Sequence, residues 1–514
     1  MNAKKLENRI FSGLIIIFLI LPIAPTVILF LNIETKDETS LGVNAESSTE
    51  GQKVVDYFNE VFESDWAMGE DYDPEEDDTG EPQSRDIKGS GYEPVTSEQI
   101  KDEMKITPIL SPDNAEVEII KLINSAEETL YIEQMYIYDD LTDIIDAIVN
   151  AHNRGVDVKI ILDDTDNDDS KAAADYLNGE GIPLKICTST VPQYFDTQHN
   201  KGVLVDGKKV LISSINWSPT SLRYNRETGI IIESSDVTSY YLALFNHDWS
   251  VCEEYDSGVH LQSSMLMVEE GDPVEPAYKN NMSSKNSIKQ ITHNIFLPGY
   301  GIKNPVGLMY QTFFFNPSYS NDFEEVKTYS GEMTVLAMAS PDNCFEGVAG
   351  ILSKAEKSID ISVYTLSSPY LIDILAERMK KEVKVRLLLE KNQVGSYERA
   401  YNRYVMNNLT EIGVSAGLAT HKAEGLWASQ DFDFQHSKYA IIDDSILILS
   451  SGNWARSSCP KAQDDGDVDG NRDWWIIIYG SDVPTDDLPL FIIIIIIIVV
   501  IAVVAIVIVV KVVS

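Results

Sequence analysis

The hydrophobic and polar positions divide this chain into an apolar segment at each end and a repeated, mixed pattern between them. Residues 490–510 read LFIIIIIIIVVIAVVAIVIVV, without one polar side chain. A helix of this length would span about 31 Å, close to the thickness of the hydrocarbon core of a bilayer. A buried strand is the alternative, but strands rarely exceed about ten residues. The pattern therefore predicts a C-terminal transmembrane helix.

A second apolar segment follows a basic N-terminus. Lys4, Lys5 and Arg9 precede an apolar run over 10–31 that two prolines interrupt. This order is typical of a cleaved signal peptide or of an uncleaved signal anchor, and residues 1–32 are assigned to one of the two. Because basic flanks stay preferentially in the cytoplasm, these residues and Lys511 predict a cell-membrane protein whose middle region is extracytoplasmic.

Residues 33–103 are rich in acidic and small polar side chains. Eight of the twelve residues over 70–81 are Asp or Glu, and their mutual repulsion favours an extended chain. We therefore expect an acidic, largely disordered linker. Within it, 54–66 has the apolar spacing of a short amphipathic helix, which would lie on a domain or on the membrane.

The rest of the chain contains one pattern twice. Residues 106–138 correspond to 333–366, and Ser-Pro-Asp-Asn occurs in both. Each copy continues as strand, helix, strand, helix and strand, which is typical of α/β domains with a largely buried sheet. We predict two such domains, over 104–258 and 331–484, with residues 259–330 as an inter-domain insertion.

Both copies end in the same polar string. His-x-Lys-x4-Asp is followed in each by an asparagine 17 residues after the histidine, and then by a carboxylate. The first copy contributes His199, Lys201, Asp206, Asn216 and Glu227, and the second contributes His436, Lys438, Asp443, Asn453 and Asp473. The chain has only seven histidines, so two chance matches at this spacing are improbable.

These residue types suit the chemistry of a phosphate ester. In an extended strand, residues two apart face the same side, so each histidine is presented together with its lysine. Two imidazoles, two ammonium groups and two amides would bind a tetrahedral phosphate anion. One imidazole can attack phosphorus while the other protonates the leaving oxygen, provided that the two domains pack face to face about a pseudo-two-fold axis.

The carboxylates have two expected roles. Glu227 and Asp473 would each hydrogen-bond an imidazole and so fix its tautomer and orientation. Asp206 and Asp443, at the strand ends, are better placed to hold a loop than to touch substrate. Neither copy has a histidine pair at metal-ligand spacing, and the nearby lysines would repel a divalent cation, so we expect no metal ion.

Composition narrows the possible functions. Forty basic against 81 acidic residues give a net charge of −41, which excludes a general DNA-coating role. Four cysteines without a C-x-x-C pair support neither a zinc ribbon nor a small disulfide scaffold, and they permit three disulfide pairings or none.

The two strings resemble the duplicated His-Lys-Asp motif of the phospholipase D superfamily, over about residues 104–484. The resemblance implies two tandem α/β/α sandwich domains with the active site at their interface. It also implies a phosphodiesterase or phosphatidyl transferase that works through a phosphohistidine without a cofactor. The motif residues of both copies would be catalytic, with His199 as the nucleophile and His436 as the acid. Asp473 stands in place of the usual glutamate.

Chain distance offers a second reason for choosing His199 as the nucleophile. Glu227 follows Asn216 by 11 residues, whereas Asp473 follows Asn453 by 20. We therefore expect the longer, closer Glu227 to give His199 the better carboxylate support.

The motif leaves the substrate open. Anchors at both ends would hold the site near lipid headgroups, which favours a phospholipid. An extracytoplasmic nuclease is the alternative, because basic residues around the first motif could line a groove for nucleic acid, unless they only neutralise nearby acids. These residues are Lys201, Lys208, Lys209, Arg223 and Arg226. A catalytically inactive scaffold is the non-enzyme alternative, which two complete motifs disfavour, and the oligomeric state is open.

Overall fold

The structure, a computed structural model, describes nine stretches of the chain. They are residues 49–73, 95–163, 168–187, 195–256, 319, 322–394, 396–412, 422–462 and 470–481. The predicted N-terminal signal segment, the C-terminal apolar segment and most of the inter-domain insertion lie outside them. Within these stretches, no helix has both the length and the apolar character needed to span a bilayer.

Helices and strands alternate through both repeats. The helices are α1 (Glu50–Met68), α2 (Ala115–Asn124), α3 (Thr142–Asn153), α4 (Asp168–Gly179), α5 (Pro219–Arg223), α6 (Ser235–Val251), α7 (Cys344–Leu352), α8 (Pro369–Met379) and α9 (Ser396–Met406), which continues as a π-helix (Asn407–Ile412). The strands are β1 (Glu70–Asp71), β2 (Glu98–Ser111), β3 (Thr129–Gln134), β4 (Asp157–Leu162), β5 (Leu184–Ile186), β6 (Lys201–Val205), β7 (Lys209–Ser213), β8 (Glu227–Glu233), β9 (Glu253–Glu254), β10 (Tyr329–Ser340), β11 (Ser358–Val363), β12 (Lys384–Leu389), β13 (Glu424–Trp427), β14 (Lys438–Ile442), β15 (Ile446–Ser450) and β16 (Asp473–Tyr479).

All these strands join one mixed sheet that runs through both repeats. Its order is β1-β13-β12-β11-β14-β15-β16-β10-β2-β8-β7-β6-β3-β4-β5-β9. The opening strands β2 and β10 pair antiparallel at the junction, with Ile106 opposite Tyr329 and Glu98 opposite Ala337. The two halves are thus joined edge to edge by backbone hydrogen bonds, and strands β6, β7 and β8 of the first half also contact β16, β15 and β14 of the second half, respectively.

Alternation along the strands sends side chains to cores on opposite faces of the sheet. On β6, Val203 and Val205 enter a core formed with α2, α3 and α4, and the second half has a matching core with α7, α8 and α9. Leu204 faces the other way, into a core that residues of both halves share with α1 and α6. Each half therefore has helices on both faces of its part of the sheet.

Helix α1 corrects the prediction of a largely disordered linker. Thr49 caps its N-terminus by accepting a hydrogen bond from the backbone N–H of Gln52. Its apolar face packs against the second half of the sheet, with Phe58 and Phe62 among the most deeply buried large side chains. The predicted amphipathic helix therefore exists, and it packs on the domain.

The four cysteines are used in two ways. Cys187, directly after β5, and Cys252, directly after α6, form a disulfide. Cys344 and Cys459 are buried and not disulfide-bonded. The tertiary structure thus chooses a pairing that the sequence left open.

Candidate active site

Two short backbone crossings bring the halves together at the site. The N–H of His436 donates to the carbonyl of Arg226 (2.9 Å), and the N–H of His199 donates to the carbonyl of Arg472 (3.1 Å). In one crossing, Gln198, which precedes His199, pairs with Arg472, which precedes Asp473. In the other, Gln435, which precedes His436, pairs with Arg226, which precedes Glu227. The crossings therefore place each imidazole next to a carboxylate from the opposite repeat.

The histidines and carboxylates are paired crosswise. His199 Nδ1 lies 2.8 Å from Asp473 Oδ1, and His436 Nδ1 lies 2.7 Å from Glu227 Oε2. All four side chains are essentially inaccessible to solvent. The expectation that Glu227 would serve His199 is wrong, because spatial pairing follows the backbone crossings and not the distance along the chain.

Each orienting carboxylate is held by a serine that the sequence analysis missed. Ser214 Oγ donates to Glu227 Oε2 (2.6 Å), and Ser451 Oγ donates to Asp473 Oδ1 (2.8 Å). Asn225 also donates to Glu227, at 3.1 Å. Equal spacing was an available signal, since both serines stand two residues before the motif asparagine.

Both motif lysines fold back onto their histidines. Lys201 and Lys438 open strands β6 and β14, and the Nζ atom of each donates to the backbone carbonyl of the histidine two residues earlier. Lys438 Nζ also lies 3.0 Å from His436 Nε2. The alternation argument is therefore correct in placing histidine and lysine together.

The motif asparagines are buried with unsatisfied amides. Asn216 and Asn453 are fully inaccessible to solvent, and neither the oxygen nor the nitrogen of their amides forms a hydrogen bond within the described part of the chain. Buried amides normally have partners, because losing hydration without compensation costs about 1–3 kcal/mol. Their NH₂ groups are donors of the kind that phosphate oxygens accept.

Asp206 and Asp443 lie away from this group and hold loops instead. Asp206 accepts from the backbone N–H groups of Glu127, Glu128 and Thr129, ahead of β3. Asp443 does the same at the start of β11. Lys201 and Lys438 are the first residues of β6 and β14, and each aspartate comes directly after the last residue of the same strand. At 3.3 Å per residue, each aspartate therefore lies about 16 Å from its lysine. Their assignment as catalytic residues is therefore corrected to the loop-holding role.

Two arginines next to the orienting carboxylates form buried ionic clusters. Arg226 donates to Asp65 of α1 (3.0 Å) and to Asp113 (2.7 Å). Arg472 pairs with Asp248 of α6 (2.8 Å) and with Asp342. The two partners Asp113 and Asp342 are the aspartates of the repeated Ser-Pro-Asp-Asn motif, whose spacing alone did not indicate a role.

These pairings remove two residues from the basic groove considered for nucleic acid. Arg226 is completely buried among carboxylates, and Arg223 makes a two-pronged contact with Glu116, at 2.9 and 2.6 Å. Of the five candidates, these two therefore neutralise nearby acids, and Lys201 belongs to the histidine site.

A carboxylate also supports the backbone just before each histidine. Asp163 accepts from the N–H of Gln198 (2.7 Å), and Glu390 accepts from the N–H of Gln435 (2.8 Å). Burial raises the pKa of Glu390 to about 7, although backbone N–H groups and His436 favour its charged form. Burial likewise raises the pKa of Asp65 to about 6, against the pull of Arg226.

The fold and the site define a class: a duplicated α/β protein whose two halves share one buried site with two histidines. The profile of a known family, described as cardiolipin synthase, PLD-like domain, matches residues 119–249 and 348–484. Because these residues make up more than half of the chain, the protein belongs to this phospholipase D-like family. The predicted membership of the phospholipase D superfamily is thus confirmed.

Individual relatives match over shorter stretches. Phospholipase D of Rickettsia typhi is 33% identical over 124 residues, which are 24% of this chain and 57% of that protein. Mitochondrial cardiolipin hydrolase of Xenopus tropicalis is 32% identical over 112 residues, or 21% of this chain and 49% of that protein. The chain thus spans about half the length of these curated relatives.

Two solved structures are also similar. Nuc of Salmonella typhimurium, a phospholipase D family member, has 28% identity and a TM-score of 0.28, over 30% of this chain and 99% of Nuc. Phosphatidylserine synthase of Haemophilus influenzae has 14% identity and a TM-score of 0.45, over 74% of this chain and 83% of the synthase.

Proposed function

We propose that this protein is a membrane-anchored phosphodiesterase that hydrolyses or transfers the headgroup of a phospholipid through a phosphohistidine. The observation that carries the proposal is the crosswise site, in which each buried imidazole meets a carboxylate of the opposite repeat. Two lysines and two buried asparagine amides accompany the imidazoles. This set of cations and donors suits a tetrahedral phosphodiester.

The proposed reaction has two balanced steps. His199 Nε2 attacks phosphorus and forms an N–P bond, while the P–O bond to the leaving alcohol breaks and protonated His436 gives that oxygen its proton. Neutral His436 then takes a proton from water or from an acceptor alcohol, whose oxygen attacks phosphorus and breaks the N–P bond. Hydrogen bonding of Nδ1 to Asp473 or Glu227 fixes the orientation of each ring, so that Nε2 is the nitrogen that carries out these transfers.

A phospholipid is the favoured substrate on two grounds. The family description names cardiolipin synthase, and relatives carry the names phospholipase D and cardiolipin hydrolase. The apolar segments over 10–31 and 490–510 would hold the site close to headgroups. The nuclease alternative has lost Arg223 and Arg226 as available contacts.

The test uses the full-length protein in detergent, with a vesicle panel of phosphatidylcholine, phosphatidylethanolamine, phosphatidylglycerol and cardiolipin, and a single-stranded oligonucleotide. We expect headgroup release by the wild type and by His152→Ala, a control on the surface of α3, but none by His199→Ala. Added ethanol separates transfer from hydrolysis, because transfer yields phosphatidylethanol. Oligonucleotide cleavage without headgroup release would retire the lipid proposal in favour of the nuclease.

Metal independence is part of the proposal. Activity in excess EDTA should stay near its untreated value, because lysines and amides supply the phosphate contacts. A loss that one divalent ion alone restores would contradict this mechanism.

The anchored, extracytoplasmic location is likewise proposed, from the basic flanks of the two apolar segments. Protease added to intact cells should degrade the region 104–484. Protection of this region until the cells are lysed would reverse the orientation.

A further inference from the structure

Helices α1 and α6 share a sequence pattern that the predicted repeat does not include. Residues 57–66 read YFNEVFESDW, and residues 240–249 read YYLALFNHDW. The two segments align without a gap, and tyrosine, phenylalanine, aspartate and tryptophan coincide at four positions. Helix α6 closes the first repeat, whereas α1 precedes both repeats.

The two helices also pack alike, each on its own half of the sheet. On α6, Phe245 stacks on Trp249, and Lys159 of β4 lies 5.8 Å from the tryptophan ring. On α1, Phe62 stacks on Trp66, and Arg386 of β12 lies 5.4 Å from the tryptophan ring. Lys159 and Arg386 are each the third residue of corresponding strands, so the helices occupy equivalent places.

Helix α1 begins where a helix following β16 would begin. In the first half, Ser234 connects β8 to α6. Its N–H donates to the backbone carbonyl of Lys208, and its side chain caps α6. In the second half, Gly480 follows β16, and its N–H donates to the backbone carbonyl of Ser445, as Ser234 does to Lys208. The capping residue of α1, Thr49, donates its hydroxyl to the carbonyl of Gly480, although 431 residues separate the two along the chain.

The shared aspartates reach corresponding arginines in opposite halves. Asp248 pairs with Arg472, whose carbonyl accepts the His199 N–H. Asp65 pairs with Arg226, whose carbonyl accepts the His436 N–H and whose neighbour Glu227 holds the His436 ring. Each aspartate thus lies behind one of the two imidazoles.

We propose that α1 is the closing helix of the second repeat, carried at the opposite end of the chain, and that Asp65 is a positioning residue for His436. Asp248 plays the same part for His199. This inference rests on the proposed function, because it uses the different roles of the two histidines.

The test compares Asp65→Asn with Asp248→Asn in the full-length protein, on a phospholipid and on a p-nitrophenyl phosphodiester, whose good leaving group needs little acid help. Asp65→Asn should lower kcat on the phospholipid by about tenfold to a hundredfold through misplacement of His436, and leave the p-nitrophenyl substrate near its wild-type rate. Asp248→Asn should slow both substrates, since His199 attacks both. Glu63→Gln, which alters an exposed partner of Arg386 on the same helix, is the control and should change neither rate.

Three results would contradict the positioning role of Asp65 or distinguish its failure from failure of the proposed function. Wild-type rates for Asp65→Asn would exclude the positioning role. An equal loss on both substrates, with a lowered melting temperature, would make Asp65 merely structural. If His199→Ala and His436→Ala both keep full activity, the proposed function itself fails, whatever Asp65 does.

A second variant tests the transfer of the helix even if Asp65→Asn folds poorly. In a chain with Asp65→Ala, a second copy of residues 49–68 inserted directly after Ser481 should restore phospholipid activity. The same insert with alanine in place of the copied Asp65 should not restore phospholipid activity. Failure of the native insert to restore activity would contradict the proposed equivalence.

Discussion

Replacing Asp206 with asparagine separates the structural part of the His-Lys-Asp motif from its chemistry. The carboxylate accepts hydrogen bonds from three consecutive backbone N–H groups, at 3.1, 2.7 and 2.9 Å. Asp206 has φ of 54°, in the left-handed region that asparagine also tolerates. The substitution therefore removes charge and one acceptor without adding backbone strain.

The magnitude follows from these contacts. Hydrogen bonds to a charged group contribute about 1.5–3 kcal/mol each, but asparagine keeps one acceptor and the site is partly open to solvent. We expect Asp206→Asn to lower the free energy of unfolding by about 2 kcal/mol. Because the site lies about 16 Å from Lys201 along β6, kcat should stay within about twofold of the wild type.

The effect should depend on pH with a definite sign. Burial raises the pKa of Asp206, but the three backbone N–H groups outweigh it and hold the pKa below its usual value. A lowered pKa in the folded state gives stability that is present above the usual aspartate pKa, and is lost as pH falls through the folded value. The difference between the wild type and Asp206→Asn should therefore be full at pH 7 and shrink below about pH 4.

Urea unfolding followed by circular dichroism, together with steady-state kinetics at a temperature where both proteins are folded, measures the two quantities separately. Asp443→Asn is the matched variant in the second repeat and should show a similar loss of stability at pH 7 with kcat little changed. A loss of kcat of a hundredfold or more with unchanged unfolding would refute the reasoning, and would return Asp206 to the catalytic residues.

Three further outcomes are expected. Glu227→Gln should slow the reaction only of substrates with poor leaving groups, whereas Asp473→Asn should slow formation of the covalent adduct on every substrate. The expected loss is roughly tenfold to a hundredfold, because one charge-assisted hydrogen bond is weakened. The opposite pattern in rapid-quench experiments would mean that each carboxylate serves the histidine of its own repeat. The pKa of Glu390 is raised to about 7 from the usual 4.5, so the stability it gives is full below pH 4.5 and is lost as pH rises through 7. Over that range, the free energy of unfolding of the wild type should fall by about 3 kcal/mol relative to Glu390→Gln. An equal difference in unfolding free energy between the two proteins at pH 5 and at pH 8 would contradict this. Cys252→Ser opens a disulfide between residues 65 apart and should cost about 4 kcal/mol in urea unfolding, whereas an unchanged midpoint would show that the bond does not form.

Local pattern was enough to predict the parts of this protein that depend on neighbours in the chain. The alternation of apolar and polar positions indicated α/β repeats, because strand and helix periodicities are properties of short segments. The spacing His-x-Lys placed Lys201 beside His199 and Lys438 beside His436, because residues two apart in an extended chain share a face. The position of Asp206 after the end of a strand likewise predicted its loop-holding role.

Only the tertiary structure decided which groups meet across the site. His199 and Asp473 are 274 residues apart, and His436 and Glu227 are 209 apart, so neither pairing has a signature in local spacing. The backbone crossings at Arg226 and Arg472 impose the crosswise arrangement, and chain distance suggested the reverse. Helix α1 is a similar case, since its acidic surroundings resemble a linker, and its burial depends on a sheet whose described strands all follow it in the chain.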